Sequence, residues 1–207
     1  MENDNVYWNK FYQDKKNDKR LSVPSQFCVF SINEIEANTV VEFGAGNGRD
    51  SLFFHKCGYR VIALDASATA MDILSEDSSS NDLLFQRFEV GLDSLDNLPV
   101  IDSPKAAYAR FFLHALTNDK IESFFKILNG FMRAGESVFL EFRVAEDELR
   151  SKVFSDHYRN YVDMEFFEDM LARYGFKREY GVQGLGFAKF KDDDAYVTRQ
   201  ILRRLNA

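Results

Sequence analysis

Residues 40–51 read VVEFGAGNGRDS, and the chemistry of the chain starts there. An apolar run carries Glu42 and then Gly44, Gly46 and Gly48 at alternate positions, with Arg49 and Asp50 following. Glycines just after a strand-like segment let a ligand come close to the backbone and aim amide N–H groups at it. The dinucleotide fingerprint wants a third glycine where this chain has Arg49. The Gly-Lys-Ser/Thr ending of a phosphate-binding P-loop is absent. Downstream, RVIALD ends on Asp65, 21 positions after Gly44. A carboxylate at that place can accept both hydroxyls of a ribose, whereas alone it would read as a helix cap or surface charge. The pair therefore points to a nucleoside ligand.

A second set of polar residues falls at later strand ends. Arg110 and His114 lie in YARFFLHAL, Arg143 closes LEFR, and His157, Tyr158, Arg159 and Tyr161 follow in HYRNY. In a doubly wound sheet these positions line one crevice. Arginine offers a planar bidentate fork to an ionised oxygen, which needs donors and no base. A hydroxyl acceptor would need a base, for which His157 or His114 is the candidate. The plainer reading pairs Arg110 with a carboxylate and makes His114 a satisfied histidine at a helix start.

The elements that must position these groups alternate between strand and helix, the pattern of a mostly parallel sheet covered on both faces. Strands are expected at 39–43, 60–65, 83–90, 105–112 and 136–144, with helices at 48–57, 67–76, 118–133 and 163–174. Gly58 and Gly175 supply helix stops. Two helices, 5–13 and 24–36, precede the first strand. Residues 145–160 lack a clear period and read as an insertion. FKREYGVQ and GFAKFK around Gly184-Leu185-Gly186 read as a hairpin, and 194–204 as a terminal helix whose acidic start is Asp192-Asp193-Asp194.

With 207 residues, 45% of them hydrophobic, the chain suits one domain with a full core. A net charge of −7 argues against broad binding to nucleic acid or acidic membrane. No apolar stretch is long enough to span a bilayer or act as a signal-peptide core. Cys28 and Cys57 lack metal-type spacing. A cytoplasmic, metal-independent protein is expected.

Glu42-x-Gly44-x-Gly46-x-Gly48 with Asp65 ending the next strand resembles the class I S-adenosylmethionine-dependent methyltransferases. The resemblance implies an α/β, Rossmann-like, doubly wound seven-stranded sheet, mostly parallel with a C-terminal antiparallel hairpin strand. It implies that Glu42 and the backbone of Gly44, Gly46 and Gly48 hold the methionine part of S-adenosyl-L-methionine. Asp65 would hold the ribose and Glu89 the adenine amine, with Ala45, Asp50 and Ala66 also among the cofactor-binding residues. Arg110 would face both cofactor and acceptor. Residues 1–36 are expected to form a helical lid in which Trp8 and Tyr12 meet the cofactor, or else a packing stripe. Residues 144–162 form the acceptor-side insertion, with Arg110, Arg143, His157, Tyr158, Arg159 and Tyr161 around the substrate.

The motifs YWxxFY, PSQF, GAGNGRDS, ARFFLHAL, EFR, HYRxY and GLGFAKFKDDDAYVTRQI also resemble methyltransferases of bacterial capsule and surface-polysaccharide gene clusters. That implies O-methylation of a small anionic or sugar-containing acceptor: a sugar, sugar phosphate, nucleotide-linked sugar or phosphoramidate. N- or carboxyl-methylation, or a non-catalytic cofactor-binding subunit, are the alternatives.

Overall fold

The computed structural model of the protein describes residues 3–13, 23–76, 80–101, 104–148, 150, 158–190 and 193–206. Seven strands make one sheet: β1 (Thr39–Phe43), β2 (Arg60–Asp65), β3 (Leu83–Arg87), β4 (Lys105–Arg110), β5 (Ser137–Arg143), β6 (Phe176–Gly184) and β7 (Val197–Arg204). Their spatial order is β3-β2-β1-β4-β5-β7-β6. The first five run parallel, and β7 is antiparallel to both β5 and β6. The helices are α1 (Asn3–Gln13), α2 (Gln26–Ile32), α3 (Arg49–Lys56), α4 (Ala68–Glu76), α5 (Asn118–Phe131) and α6 (Met164–Tyr174). This is the Rossmann-like methyltransferase sheet that the resemblance implies.

Alternation along the strands divides the core between the two faces. Val41 and Phe43 of β1, with Val138, Leu140 and Phe142 of β5, face α5 and α6 through Phe124, Phe125, Leu128, Phe167 and Met170. Val40, Tyr108 and Phe139 face the other way, onto Phe27, Phe54, Met71 and Leu74 of α2, α3 and α4. The inner strands β1, β2, β4 and β5 are buried on both faces, so β1 and β2 read as near-continuous apolar runs, whereas the edge strands β3 and β6 are partly exposed. Local chemistry sets the helix ends. Thr117 caps α5 through the amide of Lys120, and Asp163 caps α6 through those of Glu165 and Phe166.

Two expectations for the C-terminal third are corrected. Residues 197–204 form a strand where a helix was expected, because the open edge of β5 and the edge of β6 both pair with it. The hairpin's second strand is consequently VTRQILRR, and GFAKFK lies in the connection. Asp193 and Asp194 open no helix: Asp193 pairs with Arg143, and Asp194 accepts from the Gly186 amide at 2.8 Å. Phe111 and Phe112 fall outside β4, which stops at Arg110.

Candidate active site

The glycine turn is built by its own backbone. The amides of Gly44 and Ala45 both donate to the carbonyl of Leu64, at 2.8 and 3.0 Å, tying the end of β1 to β2. Gly44, Gly46 and Gly48 have φ of +76°, +55° and +70°, a region that side chains disfavour. Space forbids a side chain as well. A Cβ on Gly44 would stand 2.7 Å from the Phe112 ring and one on Gly48 2.8 Å from Leu74, while on Gly46 it would collide with the Tyr12 hydroxyl.

Asp65 completes the cradle. One carboxylate oxygen accepts from Gly46 N at 2.9 Å and the other from Ser67 N at 2.8 Å. Burial raises its pKa, and these backbone donors partly offset the rise. The Ala66 amide also favours the charged carboxylate, which with about four acceptor positions keeps capacity for a further donor. That capacity fits a ribose hydroxyl, and the glycine backbone fits the methionine end of S-adenosylmethionine, with Phe112 and Tyr12 packed over it.

Helix α1 lies against this cradle. Ser67 Oγ donates to Asn9 Oδ1 at 2.8 Å, and the Tyr12 hydroxyl rests on Gly46. Burial, with the nearby Asp65 charge, raises the Tyr12 pKa and keeps the phenol neutral. Trp8 stacks on Tyr12 at 6.1 Å between ring centres, within a cluster that includes Tyr7 and Phe11.

Beneath the turn lie two buried acids. Glu42 accepts a short hydrogen bond from Ser51 Oγ, and burial followed by the neighbouring Asp50 pushes its pKa up to about 8. Asp50, expected among the cofactor ligands, is engaged elsewhere. It accepts from Ser25 N at 2.7 Å, Ser25 Oγ at 2.5 Å and Tyr108 Oη at 2.9 Å. It ties the N-cap of α2 to β4 and α3. Glu89 stands just beyond β3, held by Lys120 at 3.1 Å and Arg87 at 3.3 Å.

At the ends of β4, β5 and β7 the arginines are paired. Glu141, fully enclosed, accepts from Arg110 Nε at 2.9 Å and Arg199 Nε at 2.7 Å, a row that crosses three neighbouring strands. Arg143 binds Asp147 at 2.5 Å and Asp193 at 3.1 Å. Burial and then the Arg143 charge lower the Arg159 pKa. Tyr158 is exposed, and Tyr161 is half-buried. His114 is buried, and its Nδ1 accepts the Arg143 amide at 3.3 Å, which removes the lone pair a general base would use. His157 lies outside the described residues.

Several of these groups escape sequence reading. Glu141 leaves a signal, since an acid inside VFLEF must find a partner when buried. Asp147 is hidden among its acidic neighbours, and Ser25, Tyr108 and Arg199 lie inside PSQF, YARFFLHAL and GLGFAKFKDDDAYVTRQI, where nothing local names their partners.

Residues 40–135 match a family profile described as a methyltransferase domain. Comparison with curated proteins by sequence finds no match. Among solved structures, a Burkholderia thailandensis 1,6-didemethyltoxoflavin-N1-methyltransferase superposes with TM-score 0.68 at 15% identity, over 98% of this chain and 87% of that one. That protein holds 1,6-didemethyltoxoflavin and S-adenosylhomocysteine. A Methanosarcina mazei S-adenosylmethionine-dependent methyltransferase gives 0.68 at 14% identity, covering 86% and 98%. The glycopeptide N-methyltransferase MtfA, complexed with S-adenosylmethionine, gives 0.67 at 12% identity, covering 89% and 88%. Residues 40–135 are thus similar to a methyltransferase domain, and the chain as a whole has the fold that these S-adenosylmethionine-dependent methyltransferases share.

Proposed function

We propose that this methyltransferase acts in the cytoplasm on an oxygen of a small acceptor that carries an anionic group or a sugar. Arg110 is the observation that carries this reading. Its Nε is taken by Glu141, while its two Nη groups have no partner among the described residues, leaving a fork to meet an acceptor. The crowding of Arg159 by Arg143 adds positive potential on the same side. The likeness of the motifs to those of capsule and surface-polysaccharide clusters supports a sugar or sugar-phosphate acceptor.

S-adenosylmethionine, when bound, supplies a methyl group on a sulfonium for in-line displacement. This chain's residues then have to position the acceptor and exclude water. Asp65 and the turn from Gly44 to Gly48 would hold the nucleoside and the methionine end, Glu89 the adenine, and α1 would cover them. Residues 144–162 would cover the acceptor, and Tyr158, Arg159 and Tyr161 contribute from there. With the Nδ1 of His114 occupied, an ionised oxygen suits the described residues, and a neutral hydroxyl would call on His157 as base. A nitrogen acceptor, which uses its own lone pair, is the second reading that the same occupied Nδ1 favours.

Calorimetry with S-adenosylmethionine and S-adenosylhomocysteine tests the cofactor half, and absence of binding to both defeats it. The acceptor half is tested with labelled cofactor against panels of sugar phosphates, uronic acids and amino sugars. Transfer to an oxygen of a phosphate or sugar is expected. Label found only on amines replaces this reading by the second.

A further inference from the structure

Phe111 follows Arg110 directly and is, among the described residues, the one non-glycine with positive φ, at +54°. A bulky side chain is disfavoured there, and such outliers gather at functional sites. Glycine would satisfy the backbone without strain, so the phenyl ring must return something a hydrogen atom cannot.

What the ring touches says what that is. The Arg110 guanidinium carbon lies 4.2 Å from its centroid, and that of Arg143 lies 5.5 Å away. The His114 ring meets it edge-on at 5.1 Å, and the small cluster of Ala188, Ala195 and Val197 backs it. The Phe111 amide donates to the Glu141 carbonyl at 2.7 Å, which anchors the turn to β5. Two like-charged guanidinium groups from adjacent strands thus share one aromatic surface, whose negative face attracts both.

We propose that Phe111 is a positioning residue for the acceptor site: its ring is the shelf that holds the guanidinium groups of Arg110 and Arg143, and its left-handed backbone brings the shelf under both. Arginine side chains lose rotamer freedom on binding a ligand, so a guanidinium already seated binds with less loss. The seat also keeps Arg110 Nε on Glu141 while its Nη fork has no protein partner among the described residues.

The inference rests on the anionic-acceptor reading, and one titration separates the two. Inorganic phosphate is added to the full chain saturated with S-adenosylhomocysteine, and the arginine Nε–Hε signals are followed by heteronuclear NMR, with Arg110→Lys assigning the Arg110 signal. Phe111→Leu keeps apolar bulk without an aromatic face, Phe111→Gly relieves the backbone, and Phe111→Tyr keeps the face. Wild type and Phe111→Tyr are expected to bind phosphate within about twofold of each other, and Phe111→Leu and Phe111→Gly at least about fivefold more weakly. Cofactor-product affinity should stay unchanged throughout. Phosphate binding that survives in the Leu and Gly variants overturns the shelf and leaves the anionic reading standing. So does a loss that merely parallels lost S-adenosylhomocysteine affinity, which marks general damage. Phosphate binding absent from wild type removes the anionic reading, and this inference with it. If Phe111→Gly fails to fold, Phe111→Leu alone carries the comparison.

Discussion

His114 Nδ1 accepts the backbone N–H of Arg143, joining the segment after β4 to the last residue of β5. The bond is buried, so removing the acceptor strands an amide. His114→Ala should cost about 1–3 kcal/mol in urea unfolding. His114→Asn, whose carbonyl can reach the same N–H, should recover much of that. Methyl transfer that persists in the Asn variant confirms that the imidazole is not the base.

Glu42 carries the clearest pH signature. Its folded pKa of about 8 lies above the ordinary 4.5, because burial and Asp50 disfavour the charged form. A raised carboxyl contributes stability that is fully present below the unfolded pKa and lost as pH rises through the folded one. Urea stability of the wild type should therefore fall between about pH 4.5 and 8 from this group. Glu42→Gln should flatten that slope and be the more stable protein above it. Parallel slopes for the two proteins would show that Glu42 titrates normally.

The anchoring of α2 depends on Asp50. Tyr108→Phe and Ser25→Ala each remove a donor to that carboxylate and should each cost about 1.5–3 kcal/mol. Because both donors share one acceptor, the double variant should depart from additivity. Chemical denaturation of the four proteins in the cycle measures it, and strict additivity would argue that the two bonds act independently.

Gly46→Ala places a methyl group against the Tyr12 hydroxyl and puts a side chain at φ +55°. S-adenosylhomocysteine binding should fall below detection by calorimetry. Tyr12→Ala in the same background removes the collision but not the backbone strain, so a partial return of affinity is expected.

If α1 is a lid, deleting residues 1–13 should weaken S-adenosylhomocysteine binding in a chain that remains folded by circular dichroism. Loss of the Asn9–Ser67 bond and of Tyr12 over Gly46 is the physical cause. Unchanged affinity in a folded truncation removes the lid reading.

What was legible in the sequence is what is local. The turn from Gly44 to Gly48, Asp65 at the end of β2 and the caps of α5 and α6 are each written within a few residues. Strand β7 was not legible, because burial on both faces erases alternation, and Val197, Ile201 and Leu202 also suit a helix period. Only the free edges of β5 and β6 decide it. The arginines could be placed at strand ends, yet their pairing could not, since Glu141 is 31 positions from Arg110 and 58 from Arg199. The carboxylates that hold Arg110 and Arg143 also make the cleft less positive than its arginine count suggests.

The insertion of β7 between β5 and β6 sets a timetable for the ribosome. Ser137 pairs with Arg203, so β5 waits with a bare edge while the chain for α6 and β6 is being synthesised. An exposed edge in a partly made sheet is a template for the wrong partner. Until residues 197–204 have emerged, the strand that covers that edge is missing, and the slower the synthesis the longer the edge stays bare.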